Sequence, residues 1–221
     1  MDLSERIKII TGSIPADVNL VAVSKTRSIE EILKVYEADI RDFGENKVQE
    51  LIEKHDNLMD KNIRWHLIGH LQRNKVKYIV DKVHLIHSLD SVRLLEEIEK
   101  QFSLKNKIAK VLIQINIGRE ESKSGILEED LINLINEVEK CSYVKVKGLM
   151  TIIPKGDEES SRIYFKKMKS IYEDLKTKSY NNVKMTYLSM GMTNDYKVAI
   201  EEGANIIRVG EGIFGKRIYD I

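Results

Sequence analysis

The sequence has little cysteine, little proline and no long apolar run. Its one cysteine, Cys141, excludes an internal disulfide and fits a reducing compartment. Its two prolines, Pro15 and Pro154, mark no proline-rich linker. No segment approaches the roughly 20 apolar residues of a membrane-spanning helix, and the N-terminus lacks the apolar core of a secretory signal. We therefore expect a cytoplasmic protein.

An excess of charge of either sign is also missing. The chain carries 36 basic and 35 acidic side chains, for a formal net charge of +1. This balance indicates neither nucleic acid nor a membrane as a partner, because proteins that bind them usually carry a basic surface. Its 221 residues, 42% of them hydrophobic, can form a sizeable core. No change in composition divides the chain, so we predict a single domain over residues 1–221.

Short apolar segments alternate with amphipathic segments along the chain. After an opening helix, the predicted strands cover residues 19–25, 40–46, 64–69, 82–90, 108–117, 144–152, 184–191 and 204–212. The predicted helices cover residues 28–38, 47–58, 71–80, 91–104, 127–140, 157–178 and 193–203, with a short terminal helix after them. This alternation indicates a parallel sheet covered by helices. We predict an α/β fold, a single (β/α)8 TIM barrel with an extra N-terminal helix; a doubly wound open sheet is the alternative.

A lysine ends the first predicted strand, in "VAVSKT". Lysine is among the least buried residue types, so Lys25 needs an explanation. It is a surface residue, a phosphate contact or a nucleophile. The third interpretation requires a neutral amine, which partial burial and nearby positive charge favour by lowering the pKa of a lysine.

Glycines follow the last two predicted strands, in "SMGMT" (189–193) and "VGEGIFG" (209–215). The loops after strands seven and eight are the usual phosphate site of such barrels, because helix N-termini present unpaired amides there. Ordinary turns are the alternative. Arg208, in the last strand, needs an acceptor such as a ring nitrogen, a carboxylate or a phosphate. A structural salt bridge is the alternative for this arginine.

The histidines predict no metal site. His66 and His70 resemble a metal-binding pair, but no carboxylate or third histidine is spaced to complete a zinc or iron site. We interpret His84 and His87 as structural or rim residues. No G-x-S-x-G motif indicates a serine nucleophile.

Longer motifs occur in a specific order along the chain. They are "AVSKT", "FGEN", "WHLIGHLQRNK", "VLIQINI", "ESKSGI", "GLMTI", "LSMGM" and "IRVGEGIFG". Together, from about residue 18 to 217, they resemble the YggS/PROSC family of pyridoxal phosphate (PLP) homeostasis proteins. The resemblance implies the barrel domain of alanine racemase without its second domain.

The resemblance also implies a PLP site. Lys25 would carry PLP as a Schiff base, Asn46 would lie beside it, and Arg208 would meet the pyridine nitrogen. The remaining expected cofactor-binding residues, most of them in the phosphate cradle, are Met150, Ser189, Gly191, Met192, Thr193, Gly210, Glu211 and Gly212. Glu211 departs from the family, which often has a small residue there. Because a carboxylate would repel a phosphate, we expect this side chain to point away while its backbone N–H still serves.

Reversible attachment of PLP gives binding, storage and transfer, whereas turnover needs a second acid/base. In two-domain racemases the second domain supplies that group. An arginine at the ring nitrogen also makes the ring a weaker electron sink. We therefore expect a PLP carrier or regulator without strong turnover, with apo PLP-dependent enzymes as partners and a monomer, or else a dimer. The alternatives are a low-activity PLP-dependent racemase, a cofactor-free aldolase-like barrel and a purely structural barrel.

Overall fold

Parallel strands close into a barrel in this computed structural model, which describes residues 1–216. Within that range the strands are β1 Asn19–Val23, β2 Asp42–Glu45, β3 Arg64–Leu67, β4 Leu85–Leu89, β5 Ala109–Ile115, β6 Val144–Thr151, β7 Val183–Ser189 and β8 Ile206–Val209. Each strand pairs with the next, and β8 pairs with β1 from Asn19 opposite Ile206 to Ala22 opposite Val209. The predicted (β/α)8 barrel is confirmed, and the open-sheet alternative is wrong.

Helices cover the outside of the barrel. Within residues 1–216 they are α1 Leu3–Gly12, α2 Ile29–Glu37, α3 Val48–Asn57, α4 Val92–Leu104, α5 Leu131–Val138, α6 Glu158–Lys176, α7 Tyr196–Glu201 and α8 Glu211–Phe214. The extra N-terminal helix is α1, and Arg6 in it donates from Nε to the Ile213 carbonyl of α8 at 2.9 Å. None of the helices in the described part of the chain is long and apolar enough to traverse a bilayer.

Several predicted elements are shorter in the structure, and one is of another type. The segment 71–80 contains a 3₁₀ helix, Arg73–Tyr78, instead of an α-helix. Its N-cap, Gln72, makes no side-chain capping bond, and Arg73 and Lys75 place positive charge at the end where the helix dipole is also positive. The last strand ends at Val209 rather than at 212, because α8 begins at Glu211. Residues 217–221 lie outside the described residues. They include the C-terminal end of the predicted domain and of the predicted terminal helix.

The apolar core has two parts. The larger part lies between the strands and the helices. The smaller part fills the barrel interior and contains Val21, Leu85, Leu112, Met150 and Ile206. Alternate residues of each strand face these two regions, as expected for a small barrel. The interior also holds buried polar side chains, which connect to the site at the barrel mouth.

Candidate ligand site at the barrel mouth

A cavity of about 210 Å³ lies at the carboxyl ends of the strands. The residues that line it are Val23, Lys25, Arg27, Asn46, Ile68, Ile152, Met192, Thr193, Arg208, Gly210 and Glu211. The closed sheet therefore brings residues from the two ends of the chain to one place. The sequence analysis missed four of them, Val23, Arg27, Ile68 and Ile152; each lies within three residues of a predicted strand end, and that position was the only indication available.

The turn after β1 holds Lys25 at the edge of this cavity. Ser24 is fully buried, and its amide donates to the Gly44 carbonyl at 3.0 Å. Thr26 has a φ of +64°, which is unfavourable for a β-branched residue. The amide of Thr26 donates to Glu50 Oε2 of α3 at 2.7 Å, which stabilises the turn. Lys25 lies between these two anchored residues and is partly buried.

A buried ion pair between Lys54 and Glu45 stabilises this turn from the side of α3. Lys54 of α3 is 6% exposed, and its Nζ donates to Glu45 Oε1 and to the Ser24 carbonyl, both at 2.8 Å. Ser24 Oγ also donates to Glu45 Oε1, at 2.6 Å. Burial raises the pKa of the Glu45 carboxyl, and the Lys54 ammonium opposes that shift. The sequence analysis missed Lys54, because a lysine in an amphipathic helix ordinarily faces solvent.

Arg208 reaches the cavity from the barrel interior. It is 3% exposed, and its guanidinium donates to Ser189 Oγ at 2.5 Å and to the Thr151 carbonyl at 2.8 Å. Both acceptors are uncharged, so the salt-bridge interpretation of Arg208 is wrong. Burial lowers the pKa of Arg208 to about 10, and the more distant Asp195 carboxylate opposes the shift. The side chain therefore presents a positive charge to the cavity at neutral pH.

The loops after β7 and β8 form the opposite wall. Gly191 has a φ of +93°, and a Cβ there would lie 2.6 Å from the Ala199 Cβ, so only glycine fits. The Gly212 amide donates to Thr193 Oγ1 at 3.2 Å and so joins the two loops. Glu211 is exposed and is the first residue of α8, directly after its N-cap, Gly210. In α8 the amides of Ile213 and Phe214 donate to the Gly210 carbonyl, so among the described residues the Glu211 amide is the one left for an anion at this helix start.

Four of the predicted cofactor-binding residues do not border the cavity: Met150, Ser189, Gly191 and Gly212. Met150 is in the apolar cluster inside the barrel. The Ser189 hydroxyl is bonded to Arg208 and His87. The two glycines shape the loops behind the lining residues. Direct contact of these four residues with a cofactor stays a prediction, as do the roles of those that line the cavity.

His66, His70 and His87 make hydrogen bonds that the sequence did not indicate. His66 bonds to the Asp42 carboxylate at 2.8 Å and to His87 at 2.9 Å. His87 is fully buried, so of the two interpretations, structural or rim, it is the structural one that holds for this residue. Desolvation lowers the pKa of His84 to about 4. His70 bonds instead to Asp90, at 3.2 Å. The described residues contain no group of three or more His, Cys, Asp or Glu side chains that could hold a metal ion.

Comparisons with known proteins concern the family and the fold of the chain. The family described as alanine racemase, N-terminal domain, matches residues 2–217. A pyridoxal phosphate homeostasis protein of Aquifex aeolicus is 45% identical over 201 residues, which cover 90% of this chain and 87% of that relative. A protein of the same name from Synechocystis sp. is 37% identical over 211 residues, covering 95% and 96%.

Solved structures show the same architecture. PipY of Synechococcus elongatus PCC7942 without PLP superposes with a TM-score of 0.91 at 33% identity, covering 97% of this chain and 100% of that chain. The same protein with PLP bound gives a TM-score of 0.88. Alanine racemase of Clostridium difficile 630 gives 0.76 at 17% identity, covering 99% of this chain and 56% of the racemase. At that identity the likeness to the racemase concerns the fold alone.

Proposed function

Because this chain belongs to the alanine racemase N-terminal domain family, we propose that it binds PLP in the barrel-mouth cavity and acts in PLP homeostasis. The resemblance to PLP homeostasis proteins is confirmed by relatives of that name at up to 45% identity. The observation that carries the proposal is the convergence of Lys25, Arg208 and the loops after β7 and β8 on one cavity.

The residues present fit the chemical groups of PLP. Its aldehyde bonds reversibly to an amine, and its ring accepts electrons. Lys25 lines the cavity and would be the attachment residue, and Asn46 would flank it. Arg208 uses two of its nitrogens inside the barrel and would donate from the guanidinium to the ring nitrogen. Thr193 and the Glu211 amide at the start of α8 would hold the phosphate.

The same lining favours a carrier or regulator over an enzyme of high turnover. A guanidinium keeps its own proton at neutral pH, so Arg208 would donate a hydrogen bond to the ring nitrogen without protonating it. Among the described lining residues there is no histidine, tyrosine or cysteine, and the one carboxylate is the exposed Glu211. Lys25 is thus the one side chain in the described lining that is suited to acid/base catalysis. The described lining residues supply no second acid/base group of the kind that turnover of an amino acid needs.

The proposal also covers the proteins that receive PLP, the oligomeric state and the cellular location. A covalently but reversibly held aldehyde can be released to other proteins, so we propose apo PLP-dependent enzymes as recipients. We also propose a cytoplasmic monomer, with a dimer as the alternative state. The main alternative activity is weak amino-acid racemisation, because the family that matches this chain is described by the N-terminal domain of alanine racemase.

Borohydride reduction and peptide mapping test the attachment. The purified protein is incubated with PLP, reduced and digested, and we expect the PLP-modified peptide to contain Lys25. Lys25→Ala should lose the bound chromophore, whereas Lys47→Ala, at an exposed lysine beside Asn46, should keep it. Modification at another lysine only, or no PLP uptake by the wild type, would contradict the proposal. Exchange of the α-proton of alanine in deuterium oxide then separates a carrier from a racemase.

A further inference from the structure

A continuous series of hydrogen bonds crosses the barrel interior from β2 to β8. His66 Nε2 lies 2.8 Å from Asp42 Oδ1, and His66 Nδ1 lies 2.9 Å from His87 Nε2. His87 Nδ1 lies 3.1 Å from Ser189 Oγ, which accepts from Arg208 Nη1 at 2.5 Å. These five side chains, here named the interior relay, are between 0% and 9% exposed.

The chemistry at the two ends determines the direction of every bond. Arg208 can only donate, so Ser189 Oγ accepts from it with one lone pair, and His87 Nδ1 is the only acceptor that the described residues offer to the serine hydroxyl proton. Asp42 is ionised, because Arg64 and His66 lower the pKa of its buried carboxyl, so it can only accept. His66 therefore donates from Nε2, and its Nδ1 accepts from His87 Nε2. In this pattern each imidazole carries one ring proton, and every relay atom named has a partner.

An extra proton on His87 would break this pattern. Nδ1 would then donate to Ser189 Oγ, which already accepts from Arg208, and the serine proton would lose its acceptor. Desolvation and the positive charge of Arg208 act in the same direction and hold the pKa of His87 well below its usual range. A neutral His87 is thus an acceptor in a fixed orientation, facing Ser189.

The relay also separates two charges. Arg64 donates to Asp42 from Nε at 2.7 Å, so the carboxylate is neutralised at the amino-terminal end of the strands. Arg208, at the other end, bonds only uncharged oxygens among the described residues and keeps its charge for the cavity. A carboxylate in direct contact with Arg208 would have oriented the guanidinium as well, but it would have neutralised that charge.

We propose that His87 is a positioning residue for PLP binding: through Ser189 it holds the Arg208 guanidinium toward the ring nitrogen, and His66 and Asp42 fix its tautomer. This inference rests on the proposed function, since it assigns Arg208 to the ring. The relay residues other than Arg208 do not line the cavity. In this arrangement they act on PLP through Arg208.

Two substitutions of His87 separate positioning from packing. Leucine removes both ring nitrogens, so Ser189 and Arg208 are no longer tied to His66. We expect PLP to bind about tenfold more weakly to His87→Leu, roughly one lost hydrogen bond's effect, and the absorption maximum of bound PLP to shift. Glutamine offers one acceptor and one donor, so His87→Gln should retain most of the affinity and the wild-type absorption maximum. His84→Gln is the matched control, because His84 lies beside His66 outside the relay.

The experiment combines PLP titration with ¹⁵N NMR of the histidine rings. At pH 7.5, without PLP, we expect both relay histidines to be neutral and protonated at Nε2. A charged His87, or one protonated at Nδ1, would overturn the proposal whether or not the wild type binds PLP. A failure of the wild type to bind PLP, by itself, contradicts only the proposed function. If the wild type binds PLP and His87→Leu has the same affinity and spectrum, the proposal is also wrong. If His87→Leu does not fold, Ser189→Ala breaks the same series with a smaller change, and an unchanged affinity and spectrum there would be equally decisive.

Discussion

Replacing Lys54 by methionine removes the positive charge that compensates the buried Glu45 carboxylate. The two charged atoms lie 2.8 Å apart, and Glu45 is 0% exposed. At an effective dielectric constant of about 20, their attraction is about 6 kcal/mol. Burying the methionine side chain does not require the desolvation of an ammonium group, so the free energy saved there offsets part of the lost attraction. We expect a net loss of about 3–5 kcal/mol in the free energy of unfolding at neutral pH, as for other broken buried pairs.

The pH dependence distinguishes this cause from lost packing. Burial already raises the pKa of Glu45 in the folded protein, and removing Lys54 raises it further. A folded-state pKa above the unfolded one means that the folded state binds the extra proton. Stability therefore declines as the pH rises from the unfolded pKa through the folded pKa. The destabilisation of Lys54→Met should be smallest near pH 5 and largest above pH 7.

Urea denaturation monitored by the fluorescence of the buried Trp65 measures the effect. Lys47→Met is the control, because Lys47 is exposed at the start of the same helix, α3. The double variant Lys54→Met/Glu45→Gln has no buried charge left unpaired and should recover part of the loss. A loss below about 1 kcal/mol for Lys54→Met, or one that does not change between pH 5 and 8, would refute the reasoning.

Three further predictions concern other parts of the fold. Gly191→Ala should lower the free energy of unfolding, measured by thermal denaturation, by about 2 kcal/mol or more, because Gly191 has a positive φ and a Cβ there would contact Ala199. Gly12→Ala is the control, since a Cβ at Gly12 meets nothing within 4 Å, and equal effects of the two substitutions would contradict this prediction. Asp42→Asn should lose about 2 kcal/mol at pH 7, and because the folded pKa of Asp42 is lowered, the difference from wild type should shrink as the pH falls below 4; a constant difference in chemical denaturation would argue against it. Glu211→Thr should bind PLP about two- to threefold more tightly in titrations at low salt, since an exposed carboxylate repels an anion weakly; unchanged affinity would place that side chain away from the phosphate.

The sequence was most informative where a pattern is local. Alternating strand and helix periods were sufficient to predict the barrel. The end of the first strand indicated Lys25, and a charged residue inside the apolar last strand indicated Arg208. The N-cap of α2 is local in the same way, since Ser28 accepts from the Glu31 amide only three residues away. The 3₁₀ helix at Arg73–Tyr78 was missed, because its apolar spacing also suits an α-helix.

The partners of the buried polar groups could not be predicted in this way. His87 and Ser189 are 102 positions apart, and Glu45 and Lys54 meet because α3 packs on the sheet beneath the β1 turn. His66 looked like half of a metal pair with His70, yet its partners are Asp42 and His87. Contacts of this kind depend on which strand neighbours which and on the side of each strand that faces inward.

The sequence by itself determined the repeated β–α units, the lysine after β1 and the glycine loops near the C-terminus, because these depend on backbone preferences and on spacing along a few residues. Only the tertiary structure decided that the Arg208 guanidinium meets uncharged oxygens, that Ser189 faces the interior and that a neutral histidine series stands behind them. Closure of the barrel determines these contacts, because a buried donor must find its acceptor on whichever strand lies across the interior.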